Sequence, residues 1–338
     1  MTVVLANAPV SFGAFEMSRP DYARPDPEML MAEVAAIGYR GIDLGDPGYL
    51  GSGPELAERL ARHGLGLTGG WCDLPFYDDD AYAAALPQLQ RTLDLFDAAG
   101  RLPGLPDAKP TLAVSGRPVR TANPGGGARI PGIGLDPDGW KCLARNVNDA
   151  LRRCADRGWT ATFHHHACTD VESPAEVDRL LADTDIDLTL DTGHLIVGGG
   201  DPVEAVSRWA GRINHLHLKD ARSAVIAAAL ESGAGMIEVW SQRVFVPIGD
   251  GDLDVAGVVG ALQRSGYSGW AVVEQDIIAG PADSFADMLA DQRRNYQALV
   301  ALGFGDGDGA AAPSGGDGDR GSGHAGDGTT RGTGSGEN

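Results

Sequence analysis

Apolar residues recur along the chain in two alternating rhythms. Short β-rich runs at 3–10, 38–45, 65–71, 111–114, 160–164, 187–191, 213–218 and 270–275 predict strands. Between them, apolar residues at helical spacing predict helices at 30–37, 54–64, 79–100, 140–158, 255–266 and 284–302. In the 140–158 helix, Leu143, Val147, Ala150, Leu151 and Cys154 share one side. Two more helices announce themselves by their starts. Ser173-Pro174-x-Glu176 and Asp201-Pro202-x-Glu204 each supply a capping oxygen, a proline at the first helical position and a carboxylate three residues after the cap. Pro87 predicts a kink or break in the helix at 79–100. Residues 115–135, rich in Gly and Pro, predict a long loop on the active face. Residues 224–240 predict an inserted helix and turn.

Eight strands alternating with eight helices in about 300 residues predict an α/β fold, a (β/α)8 TIM barrel in a single domain over 1–304. A doubly wound open sheet competes, but the glycine-rich phosphate loop expected after its first strand is missing. From residue 305 the composition turns to Gly, Asp, Ser and Thr, which predicts a disordered acidic tail over 305–338.

Charge narrows the partners. A formal net charge of -20 opposes a nucleic acid or an anionic membrane. No stretch approaches the roughly 18 apolar residues of a membrane span, and the N-terminus lacks a signal-peptide pattern, so the expected location is the cytoplasm. The four cysteines form no C-x-x-C pair, which leaves free thiols as the expectation.

Polar residues gather where the later strands end. Glu172 follows the fifth, and Asp191, His217 and Glu274 close the sixth, seventh and eighth. Any one of them alone reads as a hydrogen-bonded rim residue, but four successive strand ends carrying ligand types read as a site. Three carboxylates and an imidazole suit a hard divalent ion, Mn²⁺ first, with Co²⁺ or Mg²⁺ as alternatives. Such an ion would hold vicinal oxygens of a polyol and polarise a carbonyl. His164, His166, His194 and Lys219 are placed to move protons or touch substrate. His165 alternates to the other side of its strand, and His215 lies one residue pair deeper than His217.

Asp-Thr-Gly-His at 191–194, Gly-Gly-Asp-Pro at 199–202, His-Leu-His-Leu-Lys-Asp at 215–220 and Gly-Trp-x-Val-Val-Glu at 269–274 together resemble the xylose isomerase-like TIM-barrel superfamily of sugar isomerases, epimerases and dehydratases. Ala8-Pro9-Val10-Ser11, Gly70-Trp71 and the run from His164 to Glu176 are most similar to the inosose dehydratase family of inositol catabolism. The resemblance implies a metal held by Glu172, Asp191, His217 and Glu274, with His164 or His166 as the alternative fifth-strand ligand. It implies an elimination of water from a ketocyclitol. Glu274 or a histidine takes the α-proton, His194 or His166 serves as acid, and Lys219 assists. His164, Trp71 and Arg222 are the expected substrate contacts. The partner is then a small polyol or keto-sugar, and a homo-oligomer is left open. Epimerisation, cleavage of a 3-keto C-glycoside and non-catalytic sugar binding are the competing readings.

Overall fold

In chain order the strands are β1 (Val3–Asn7), β2 (Gly41–Ile42), β3 (Gly66–Leu67), β4 (Gly69–Leu74), β5 (Lys109–Val114), β6 (Thr162–His164), β7 (Asp187–Asp191), β8 (Ile213–Leu218), β9 (Asp220–Ala221), β10 (Phe245–Val246) and β11 (Gly269–Val273). The computed structural model describes residues 3–305. Nine strands form one parallel sheet in the order β3-β2-β1-β11-β8-β7-β6-β5-β4, while β9 and β10 pair as a small antiparallel ribbon. The two end strands of the sheet, β3 and β4, are separated in the chain only by Thr68. Thr68 donates its N–H to the Ile42 carbonyl and accepts from Lys109 N–H. One broken strand therefore pairs with β2 below and β5 above, and the sheet closes into the expected eight-stranded barrel.

Helices cover the outside. Pro27–Ile37, Pro54–His63, Pro137–Asp156, Pro174–Asp183 and Pro202–Trp209 all begin with proline, which has no N–H to leave unpaired there. Asp26, Asp136 and Asp201 cap three of them, and Ser173 with Glu176 forms the anticipated capping box. Asp79–Ala99 runs unbroken through Pro87, so of the expected kink or break the break does not occur. Pro87 and Ala83 are both exposed, so water can take the carbonyl that the proline leaves unbonded. The 115–135 loop winds into two short turns, Pro118–Thr121 and Gly126–Arg129. The insertion folds as Ser223–Glu231 and Met236–Ser241, packed through Ile226, Ala229 and Trp240 onto Phe245.

The apolar interior has two shells. Leu5, Leu112, Phe163, Leu188 and Leu216 join the helix-facing core, whereas Val4, Ala6, Ala8, Trp270 and Val272 form a separate cluster inside the barrel. Trp270 is the floor. A Cβ on Gly41 or Gly66 would come within 2.6 or 2.9 Å of its indole, so those two positions stay bare. Above this floor the inward positions turn polar. Period-two alternation carries Thr162 to His164, Thr189 to Asp191, His215 to His217 and Val272 to Glu274, with Asp191 and Val272 both in register with His217. Among the described residues no helix is long and apolar enough to cross a membrane. The expected acidic tail beyond residue 305 lies outside the described residues.

Candidate active site

Four strand ends converge on one point. His164 Nε2 lies 3.1 Å from His217 Nδ1 and 3.4 Å from Asp191 Oδ2, and His217 Nδ1 lies 3.1 Å from Glu274 Oε2. All four side chains are buried, and their donor atoms lie within 4.8 Å of one another. Asp191 also caps the helix Thr192–Val197, accepting from His194 N–H through Oδ1. That cap fixes the carboxylate and leaves Oδ2 toward the ring. His165, on the outer side, accepts the Asp191 N–H and braces it from behind. The far nitrogens, His164 Nδ1 and His217 Nε2, find no protein partner. Packing orients these rings instead, Trp71 edge-on to His164 at 5.4 Å and His215 edge-on to His217 at 5.2 Å.

The structure does not bring Glu172 into this group. Its carboxylate is fully buried and accepts from Cys168, Gly125 and Gly127 N–H at 2.6, 2.8 and 2.9 Å, and from Arg120 Nη2 at 2.9 Å. Arg120, also buried, reaches on to Glu176 at 2.7 Å. A carboxylate with both oxygens saturated by four donors has no lone pair aimed at an ion. Glu172 clamps the 115–135 loop to the turn after β6, where Cys168 is held in the left-handed region at φ 70°. His164 is the fifth-strand member of the ring.

A second layer lies directly above. Lys219 Nζ sits 2.8 Å from Asp276, 3.1 Å from both Asp191 and Glu274, and 3.0 Å from His194 Nε2. His166 packs against His194 with ring centroids 3.7 Å apart. Its Nδ1 lies 2.7 Å from the Ala167 carbonyl, so Nδ1 carries the proton and Nε2 remains an acceptor. Arg222 does not reach this layer. It is exposed and donates to the Asp250 carbonyl, because the β9–β10 ribbon carries it outward.

The buried charges act on one another at close range. Burial disfavours a charged His217 ring, but the Glu274 and Asp191 carboxylates outweigh it and lift its pKa to about 10. Burial likewise opposes an ionised Glu274, yet His217 and Lys219 draw it down to about 2. Burial holds His166 and His194 well below the usual imidazole range. Asp43 stands apart. Burial, then the nearby Glu274 charge, pushes its carboxyl up to about 6.

These groups floor a cavity of about 380 Å³, lined also by Asp43, Trp71, His166 and Asp276. Asp43 and Asp276 were missed as site residues in the sequence. The only signal for Asp276 is its spacing, two residues past Glu274; Asp43 closes a strand that shows no other polar pattern. The ring fits a divalent ion. Two imidazole nitrogens and two carboxylate oxygens are a mixed, mostly hard set, and buried Asp191 Oδ2 has charged neighbours but no well-directed hydrogen bond.

A sequence profile of the family described as xylose isomerase-like TIM barrel matches residues 31–292. The rhizopine catabolism protein MocC of Rhizobium meliloti is 33% identical over 262 residues, covering 74% of this chain and 74% of its own length. An inosose dehydratase of Clostridium botulinum is 32% identical over 262 residues, covering 74% of this chain and 82% of its own. Among solved structures, the IOLI protein with a binding zinc atom shares the fold at a TM-score of 0.64 and 14% identity, covering 90% of this chain and 100% of that one.

Proposed function

Since the chain belongs to the xylose isomerase-like TIM barrel family, we propose that it is a dehydratase that eliminates water from an uncharged ketocyclitol or closely related keto-sugar. The observation that carries this reading is a matched pair of proton-handling groups on one cavity, the acceptor His166 and the weak acid Asp43, beside the ligand ring. The inosose dehydratase name of a relative at 32% identity supports the same reaction class, and inositol breakdown in the cytoplasm is the setting we infer. The cavity's charged lining supports an uncharged substrate. Glu16, Asp43, Asp46, Asp73, Glu274 and Asp276 face a single lysine and no arginine. That lysine, Lys219, is already held by three carboxylates, so no cationic side chain of the lining is free for a phosphate or a carboxylate.

A divalent cation on His164, Asp191, His217 and Glu274, Mn²⁺ on our reading, supplies carbonyl polarisation when bound. His166 Nε2 takes the proton α to the carbonyl, since its Nδ1–H is committed to Ala167. Asp43 gives its proton to the departing β-hydroxyl, which leaves as water; the acid role thus moves from His166 and His194 to Asp43. Lys219 donates to His194 Nε2 and keeps that ring neutral and fixed. Trp71, edge-on to both His164 and His166, walls the cavity against solvent.

The test is incubation of Mn²⁺-loaded protein with ketocyclitols, ketohexoses and 3-keto-glycosides in D₂O, followed by NMR and ultraviolet absorbance. A ketocyclitol should lose its α-hydrogen and β-hydroxyl and gain absorbance. Deuterium exchange with no absorbance change would make the protein an epimerase, and cleavage of a 3-keto-glycoside alone would make it a deglycosidase.

A further inference from the structure

One layer above the metal ring, the barrel repeats the ring's pattern. Two residues past His164, His217 and Glu274 come His166, Lys219 and Asp276, and three past Asp191 comes His194. His166, His194 and Asp276 bring together a second group of donor atoms within 4.8 Å of one another. Both layers share two carboxylates. Asp191 Oδ2 and Glu274 Oε2, which face the first ring, each lie 3.1 Å from Lys219 Nζ. Asp276 at 2.8 Å and His194 at 3.0 Å complete the surroundings of the ammonium, which is 1% exposed.

Bridging carboxylates flanked by histidines and a further carboxylate are the donors of a two-cation centre, in which each ion shares the bridges. Here the second position is filled by a side chain. On charge grounds one ion would suffice. Asp191, Glu274 and Asp276 bring three buried negative charges, and one dication with the lysine ammonium balances them. A second dication beside Lys219 would place uncompensated positive charge in a buried site.

We propose that Lys219 occupies the place of a second metal ion, so that the protein holds one divalent cation and carries a latent second site on His166, His194 and Asp276. The inference rests on the reading that the first ring holds a metal ion. It also gives Lys219 a role besides assisting catalysis: by keeping the second position closed to metal, it leaves His166 Nε2 unligated and free to take a proton.

The experiment compares the full chain with Lys219→Met and Lys219→Gln. Each is equilibrated with Mn²⁺, analysed for metal per chain, and examined by electron paramagnetic resonance. Wild type should hold one ion with the spectrum of isolated Mn²⁺. Both variants should hold two, with the spectrum of an exchange-coupled pair. Adding His194→Gln to Lys219→Met should return the count to one. Folding is read in the same samples by circular dichroism. A variant that folds only with excess Mn²⁺ supports the proposal, since a second cation then replaces the missing charge; one that stays unfolded at every Mn²⁺ concentration overturns it. One ion in wild type and in both folded variants overturns this inference and leaves the dehydratase reading standing. No ion in wild type removes the metal reading and this inference together.

Discussion

Glu172→Gln separates clamping a loop from holding a metal ion. Each carboxylate oxygen accepts two hydrogen bonds: Oε1 from Cys168 and Gly125 N–H, Oε2 from Gly127 N–H and Arg120. An amide has one oxygen. Whichever way it turns, its NH₂ faces two buried donors, which lose their acceptor at about 1–3 kcal/mol each, or roughly 4 kcal/mol together. Arg120 keeps Glu176 at 2.7 Å, so the guanidinium is not stranded. At roughly 2 °C per kcal/mol for a domain of this size, the melting temperature should fall by about 8 °C. Metal content should not change, because Glu172 is outside the ring of His164, Asp191, His217 and Glu274. Thermal unfolding and elemental analysis of one Mn²⁺-loaded sample read both quantities. Loss of the metal at an unchanged melting temperature would refute the clamp and restore Glu172 as a ligand.

Two further substitutions compare a cavity residue with an exposed one outside it. Asp43→Asn should lower kcat by about 10²- to 10⁴-fold, the usual contribution of a general acid, with KM little changed. In wild type the protonated carboxyl is the active form, so kcat should fall as pH rises through about 6, and the variant should lose that limb; a kcat–pH profile unaltered by the substitution would rule Asp43 out as the acid. Arg222→Ala should change kcat/KM by no more than about twofold, as for an exposed side chain away from the site. A drop beyond tenfold in steady-state assays would mean that Arg222 does meet the substrate.

The barrel was legible because its signals are local. Caps at Ser173 and Asp201 mark two helix starts, and apolar periodicity marks the other helices and the strands, although the starts at Pro27 and Pro137, capped by Asp26 and Asp136, lie three residues before the apolar pattern shows them. The same periodicity exposed Asp191, His217 and Glu274, and it set His165 apart from His164. Glu172 was misplaced for a non-local reason. Its partner Arg120 lies 52 residues earlier, in a glycine-rich loop whose fold no spacing rule describes. Asp43 was hidden in the same way. Its carboxyl is raised by burial and then by Glu274, which β11 brings near it across β1, a juxtaposition that exists only once the sheet has closed. Arg222 failed in the opposite direction, since two residues of ribbon past Asp220 suffice to turn a neighbour in sequence away from the cavity.

The insertion at Ser223–Glu231 and Met236–Ser241 contributes Met236 to the cavity wall and Trp240 to the face of His194, with ring centroids 6.0 Å apart. It contributes none of the four ring residues and none of the residues that surround Lys219. The proposed reacting groups ride on the barrel strands and the turns that follow them, while Met236 in the cavity wall comes from a segment the barrel does not need for closure. A change at Met236 therefore alters the cavity wall and leaves the strand-borne ring in place, whereas a change at Trp240 reaches His194.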